Sequence, residues 1–179
     1  WKRTNSTLIY LSPGLSEDQI IDFGQYRENM KRVRELALAG KILSANTVGR
    51  GGVFLSLVKM AVGNKIGADL TDLTEKELRN PDYGALILEI AEQEKPEKLM
   101  NGVSYKVIGK TAGHGKLSIR TREAAEEFDL DEIIARWTAP LESVFPTRRK
   151  GSAAGASKQA DGNSAQAGGS FGLPEAISY

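Results

Sequence analysis

The chain has 179 residues, enough for one domain with a core of its own. Its 24 Lys+Arg against 23 Asp+Glu leave a formal charge of +1, so no global field marks a nucleic-acid-binding or membrane-surface protein. The absence of Cys removes disulfide frameworks, thiolate zinc sites and a cysteine nucleophile, and a single His leaves a His-based metal site or triad without partners in the chain.

No apolar run reaches the roughly 20 residues of a membrane span, and no signal-peptide pattern stands at the start, so the expected location is cytoplasmic. The opening "WKRTNSTLIYLS" enters an apolar run almost at once and without Met, as an excised piece of a longer protein would. In chain order, "TLIYLS" (Thr7–Ser12) is rich in β-formers and stops at Pro13-Gly14, which predicts a strand and a turn. "IDFGQYRENMKRVRELALAGK" places Phe23, Tyr26, Met30, Val33 and Ala37 at helical spacing and ends at Gly40, a helix to be packed on a sheet.

"KILSAN" reads as a short buried strand. "GRGG" then opens a helix, Val53 to Val62, in which only Ser56 and Lys59 are polar, so it is expected to be buried on most sides. "IGADLTDL" and "YGALILEIAE" read as strands, the second with the continuous apolar run of an interior position. "TEKELRNPD" between them suits an exposed helical turn and loop.

"YKVIGKTA" and "KLSIR" flank "GHG", which predicts a hairpin turned by glycines. "REAAEEFDLDEIIARWTAPLESVF" reads as helical, broken near Asp129 and again near Pro140. Strands and helices mix without strict alternation, which predicts an α+β domain, layered α/β/α, with a mixed sheet flanked by helices. The domain is expected over 1–148. Residues 149–179 begin with a Gly/Ala/Ser-rich stretch that lacks large apolar residues and reads as a flexible linker toward a further domain.

The strongest functional signal is "SANTVGRGGVF". Glycines at a strand-to-helix junction bring backbone N–H groups close to a ligand at the end of the helix where unpaired donors and the positive dipole collect, and the matching ligand is a phosphate. Asn46, Gly49, Arg50, Gly51 and Gly52 are the candidate phosphate- or nucleotide-binding residues, with the Arg50 guanidinium able to grip phosphate bidentately. The alternative is structural: glycines that let strand and helix pack closely, with Arg50 paired to a carboxylate such as Asp69. The spacing matches neither the dinucleotide fingerprint nor the nucleoside-triphosphate loop, which needs a terminal Lys-Ser/Thr pair. Asp69 and Asp72 offer carboxylates to magnesium or to solvent, His114 sits between two glycines as a turn residue, and Thr147–Lys150, "TRRK", reads as a solvated boundary.

These segments in this order resemble a family. "ILSANTVGRGGVFLSLVKMAVGNKIGADLTDL", "DYGALILEI" and "YKVIGKTAGHGKLSI" are similar to the C-terminal domain of the aminoimidazole ribonucleotide synthetase superfamily, over roughly residues 5 to 148. In many members a "DxSDGGL"-like sequence stands where this chain has "NTVGRGGVF". The acidic pair is absent here, which turns the implied role from a metal or catalytic carboxylate to phosphate cradling or a pseudo-symmetric interface.

The resemblance is to the second such domain of a large, single-chain, duplicated member that precedes a glutaminase domain. It implies a parent ligase of purine biosynthesis that converts formylglycinamide ribonucleotide to the amidine, using glutamine and ATP with magnesium. The implied partners are the synthetase-like N-terminal and glutaminase domains of the same parent chain and the small ribonucleotide substrate, with neither nucleic acid nor membrane. No catalytic and no metal-ligating residue is assigned to this chain, and the fragment alone is expected to be inactive. The alternatives are a purely structural interaction domain and a part of another ATP-dependent kinase or synthetase of the superfamily.

Overall fold

A computed structural model describes residues 1–15, 18 and 20–146. Residues 147–179 lie outside it, and with them the expected linker and "TRRK". The chain runs β1 (Thr7–Leu11), α1 (Phe23–Leu38), β2 (Ile42–Thr47), α2 (Gly52–Val62), β3 (Gly67–Leu70) and α3 (Glu75–Arg79). It continues through β4 (Leu86–Ile90), α4 (Pro96–Leu99), β5 (Lys106–Ala112), β6 (Lys116–Arg120), β7 (Ala125–Asp129) and α5 (Leu130–Glu142).

The strands form one seven-stranded sheet in the order β2-β4-β1-β5-β3-β6-β7. Neighbours pair antiparallel except β3 and β6, which run parallel. The sheet is therefore mixed, and the α+β reading holds.

Side-chain alternation divides the core between the two faces of the sheet. On one face Leu8, Tyr10, Ile87, Ile108, Leu117 and Ile119 pack against Val53, Leu57 and Ala61 of α2, Leu78 of α3 and Leu130 of α5. On the other, Ile9, Leu11, Leu86, Leu88 and Ile90 meet Met30, Val33 and Leu36 of α1 and Leu99 of α4. β4 carries apolar residues to both faces and is buried throughout, as its continuous apolar run requires.

One polar residue interrupts that run. Glu89 is fully buried and accepts from the N–H of Lys2 (2.9 and 3.0 Å) and of Arg3 (3.1 Å) and from the Ser44 hydroxyl (2.5 Å). A buried carboxylate is tolerable only when its lone pairs are satisfied in this way, and here it ties the first residues to the sheet.

Four local expectations are corrected. β2 lies at the sheet edge and is half-buried to exposed, because it has a strand neighbour, β4, on one side only. In α1 Met30 and Val33 face the sheet as their spacing predicts, but at the two ends of the helix the pattern fails: Phe23 and Ala37 stand exposed, and Leu36 is the buried residue of the last turn.

"GHG" is not a hairpin turn. β5 and β6 lie on either side of β3, and Gly113–Gly115 steps across the start of that strand. Ala125–Asp129 is a strand despite its helix-forming Ala and Glu, because pairing with β6 outweighs propensity. α5 begins where Asp129 caps it, accepting from the Asp131 N–H (2.9 Å), and continues through Pro140.

Candidate phosphate site at the α2 mouth

β2 ends at Thr47, Val48 hydrogen-bonds to Ala85 (N–H to carbonyl, 3.0 Å), and the chain then turns through Gly49–Gly51 into α2. The turn closes when the Gly52 N–H donates to the Gly49 carbonyl at 3.0 Å. Gly51 (φ +87°) and Gly52 (φ +65°) both take left-handed backbone, which an L side chain adopts only under strain. Gly52 has a second constraint: a Cβ there would lie 2.2 Å from the Leu78 carbonyl oxygen at the end of α3. The glycine pair thus serves packing and turn geometry together.

The donors at this helix start are left over. Gly51 is the N-cap and brings no side chain, and the first intrahelical bond is Leu55 N–H to the Gly51 carbonyl at 3.2 Å. Among the described residues the Val53 and Phe54 N–H groups meet no acceptor, the usual condition of a helix start that lacks a side-chain cap. Arg50 is exposed and makes neither a hydrogen bond nor an ion pair among those residues. Asp69, the alternative partner for Arg50, instead faces His114 (Oδ1 to Nε2, 3.3 Å).

The structure does not bring Asn46 to this mouth. Its Nδ2 donates to the Ser56 carbonyl at 3.2 Å, while Ser56 Oγ returns a bond to Thr47 (2.9 Å), so the pair fastens β2 to the flank of α2. Asn46 lines a different cavity, shared with Trp1, Lys59 and Asn64.

Gly51 forms part of the wall of a cavity of about 400 Å³, with Phe54, Leu78, Ile119 and Phe128 as its apolar lining. Phe54 and Phe128 meet with ring centroids 4.9 Å apart and planes tilted by 57°. The charged groups on this cavity are Glu75 and Glu126 against Arg79, and Arg79 Nε is held by Glu75 at 2.9 Å. An anion is therefore not drawn into the cavity itself. The groups that suit one are the unfilled N–H donors and Arg50 at its edge.

The sequence pattern does not reveal this lining, because local propensity favours a helix over Phe128 and a hairpin over Ile119, whereas they stand on β7 and β6. The four apolar residues come from four elements that no local pattern connects. Among the described residues no three carboxylate or imidazole side chains converge, and Asp72 (φ +56°) lies on a separate cleft with Thr71 and Arg120.

No family model matches the chain. The phosphoribosylformylglycinamidine synthase subunit PurL of Thermus thermophilus is 26% identical over 149 residues, which is 78% of this chain and 20% of that protein. PurL of Methanocaldococcus jannaschii is 30% identical over 126 residues, 65% of this chain and 17% of its own length. This chain therefore spans about a fifth of the relatives it matches.

Phosphoribosylformylglycinamidine synthase II of Thermotoga maritima superposes with a TM-score of 0.62 at 14% identity, covering 73% of this chain and 26% of the other. Structures of that organism's PurL have been solved with ATP and with FGAR. In sequence the chain is therefore similar to PurL proteins, and its fold is that of the Thermotoga maritima phosphoribosylformylglycinamidine synthase II.

Proposed function

We propose that the chain is a ligand-cradling domain of an ATP- and glutamine-dependent ligase of purine biosynthesis. That enzyme converts formylglycinamide ribonucleotide to formylglycinamidine ribonucleotide, in the cytoplasm. The domain's task is to hold a phosphate of substrate or nucleotide at the α2 mouth. The observation that carries this reading is the helix start itself: two left-handed glycines, two N–H donors without acceptors and an exposed arginine without a partner stand together. Gly49, Arg50, Gly51 and Gly52 form the cradle, and Asn46 supports it from behind by fixing α2 to β2.

The acidic pair of related motifs is missing, and the carboxylates nearby are committed elsewhere, Asp69 to His114 and Glu75 to Arg79. We therefore assign magnesium to other parts of the parent enzyme, together with the glutaminase chemistry. The domain's partners in this reading are the synthetase-like N-terminal and glutaminase domains of a large single-chain parent, in which this is the second C-terminal domain. Residues 1–148 are its body and 149–179 its connection onward.

The test is Arg50→Ala in the full-length enzyme. Losing a charged hydrogen bond should weaken nucleotide or ribonucleotide binding by about 1.5–3 kcal/mol while the melting temperature stays unchanged. A lowered melting temperature with unchanged binding would instead make Arg50 a structural residue and end the proposal.

A further inference from the structure

The sheet ends at β7, which pairs with β6 and has no other neighbour among the described residues. In an antiparallel pair the backbone groups of alternate residues turn inward to the partner and outward. The Thr121 N–H donates to the Ala124 carbonyl at 2.9 Å, which makes that pair inward-facing and sets the alternation along the strand. With the register Arg120↔Ala125, Ile119↔Glu126 and Ser118↔Glu127, the N–H and C=O groups of Ala125 and Glu127 point away from β6. They meet no acceptor or donor among the described residues. A free edge of this kind is a template for one more strand.

Two features make this edge selective. Glu126 and Phe128, two residues apart and so on one face, both line the 400 Å³ cavity with Phe54, Leu78 and Ile119. A strand added beside β7 would direct every second residue onto that same face, next to the cavity, which has room for a bulky apolar side chain. The edge is also acidic. Glu126 and Glu127 lie on it and Glu75 on the cavity wall; Lys116 and Arg79 are already bonded to Glu127 and Glu75, and Arg120 stands exposed on β6 opposite Ala125, away from the Glu126–Phe128 face. A second copy of β7 would set carboxylate against carboxylate, which disfavours self-pairing.

We infer that β7 is a docking edge for an extended, basic segment of a partner polypeptide, which adds as an eighth strand and seats one aromatic or large aliphatic residue in the cavity between Phe54 and Phe128. Backbone bonds to Ala125 and Glu127 supply affinity, the cavity selects the anchor, and Glu126 selects flanking cations. The inference does not depend on a phosphate at the α2 mouth.

The probe is the peptide acetyl-Arg-Thr-Phe-Thr-Arg-amide added to the 179-residue chain, with binding read by fluorescence anisotropy and amide exchange read residue by residue. Exchange at Ala125 and Glu127 is expected to slow at least tenfold at saturation while the inward amides of Glu126 and Phe128 keep their rates. Replacing the peptide's Phe by Ala, or both Thr by Pro, should weaken binding at least tenfold, and Glu126→Gln in the protein at least threefold. Equal binding of the Phe, Ala and Pro peptides, or unchanged exchange at the two outward amides, overturns the proposal. Protection of those amides that grows with protein concentration in the absence of peptide also overturns it, because the edge would then belong to a second copy.

Discussion

Two helices that touch one another begin in opposite ways. At α3, Thr74 is the N-cap of a complete capping box: its hydroxyl accepts from the Glu77 N–H at 3.2 Å, and the Glu77 carboxylate accepts from the Thr74 N–H at 2.8 Å. Lys106 closes the arrangement on Glu77 at 3.0 and 3.1 Å. At α2 the cap is a glycine with no side chain to offer, and the next two donors are left open. The helix whose ends are satisfied is there to hold the loop after β3. The helix whose end is unfinished is longer and far more deeply buried, so its stability rests on packing more than on its cap.

This contrast breaks most visibly at the point where the two helices touch. Gly52→Ala places a methyl 2.2 Å from the Leu78 carbonyl oxygen at φ +65°, adding backbone strain to a clash that only movement of α3 relieves. Denaturant unfolding is expected to show a loss of about 3 kcal/mol or more. Gly49→Ala is the internal control: nothing lies within 4 Å of its added Cβ and its φ is not positive, so the change should stay within about 0.5 kcal/mol. A Gly52 variant as mild as the Gly49 variant would mean that the α2–α3 contact is loose and that the glycines are conserving space for a ligand alone.

The α2 mouth could be read from the sequence because its signals are local: glycines at a strand end, then an apolar run. The apolar run of β4 was legible for the same reason, including its interior position in the sheet. What escaped was set by distant pairing. β3 enters between β5 and β6 from elsewhere in the chain, so "GHG" has the local signature of a hairpin although the strands it joins are not paired. Ala125–Asp129 holds two Glu and an Ala that favour helix, and only the register with β6 makes it a strand. The cavity beside Gly51 needed both of those placements, so neither its aromatic lining nor the free β7 edge was visible. The bond from Asn46 to Ser56 depends on how α2 crosses β2, which no local pattern in the sequence reveals.

A smaller effect comes from unfinishing the finished helix. Thr74→Ala removes the hydroxyl that accepts from Glu77 and should cost about 1 kcal/mol in chemical denaturation, as a lost N-cap does. Because α3 supplies Glu75, Leu78 and Arg79 to the cavity wall, the same variant should loosen peptide binding at β7 while leaving phosphate binding at Arg50 unaffected. Weakening of both by the same factor would show that the two helix starts act as one unit rather than as a brace and a site.

The smallest effect is one of pH. Partial burial pushes the Glu77 carboxyl up, but the Thr74 N–H, the Lys106 ammonium and the Thr74 hydroxyl together outweigh burial and hold it below its ordinary value of 4.5. A carboxyl whose pKa is depressed by folding contributes stability above its unfolded value, and that contribution fades as the pH falls from there through the folded value. The wild type should therefore exceed Glu77→Gln in stability at neutral pH, with a difference that shrinks as the pH is lowered below about 4.5. Other carboxylates titrate in both proteins and cancel in the difference. Parallel denaturation series from pH 7 to pH 3 measure it. A gap that stays constant across the series would show that Glu77 braces α3 through hydrogen bonds that a neutral amide makes equally well, and that the Lys106 charge adds nothing to the finished helix start.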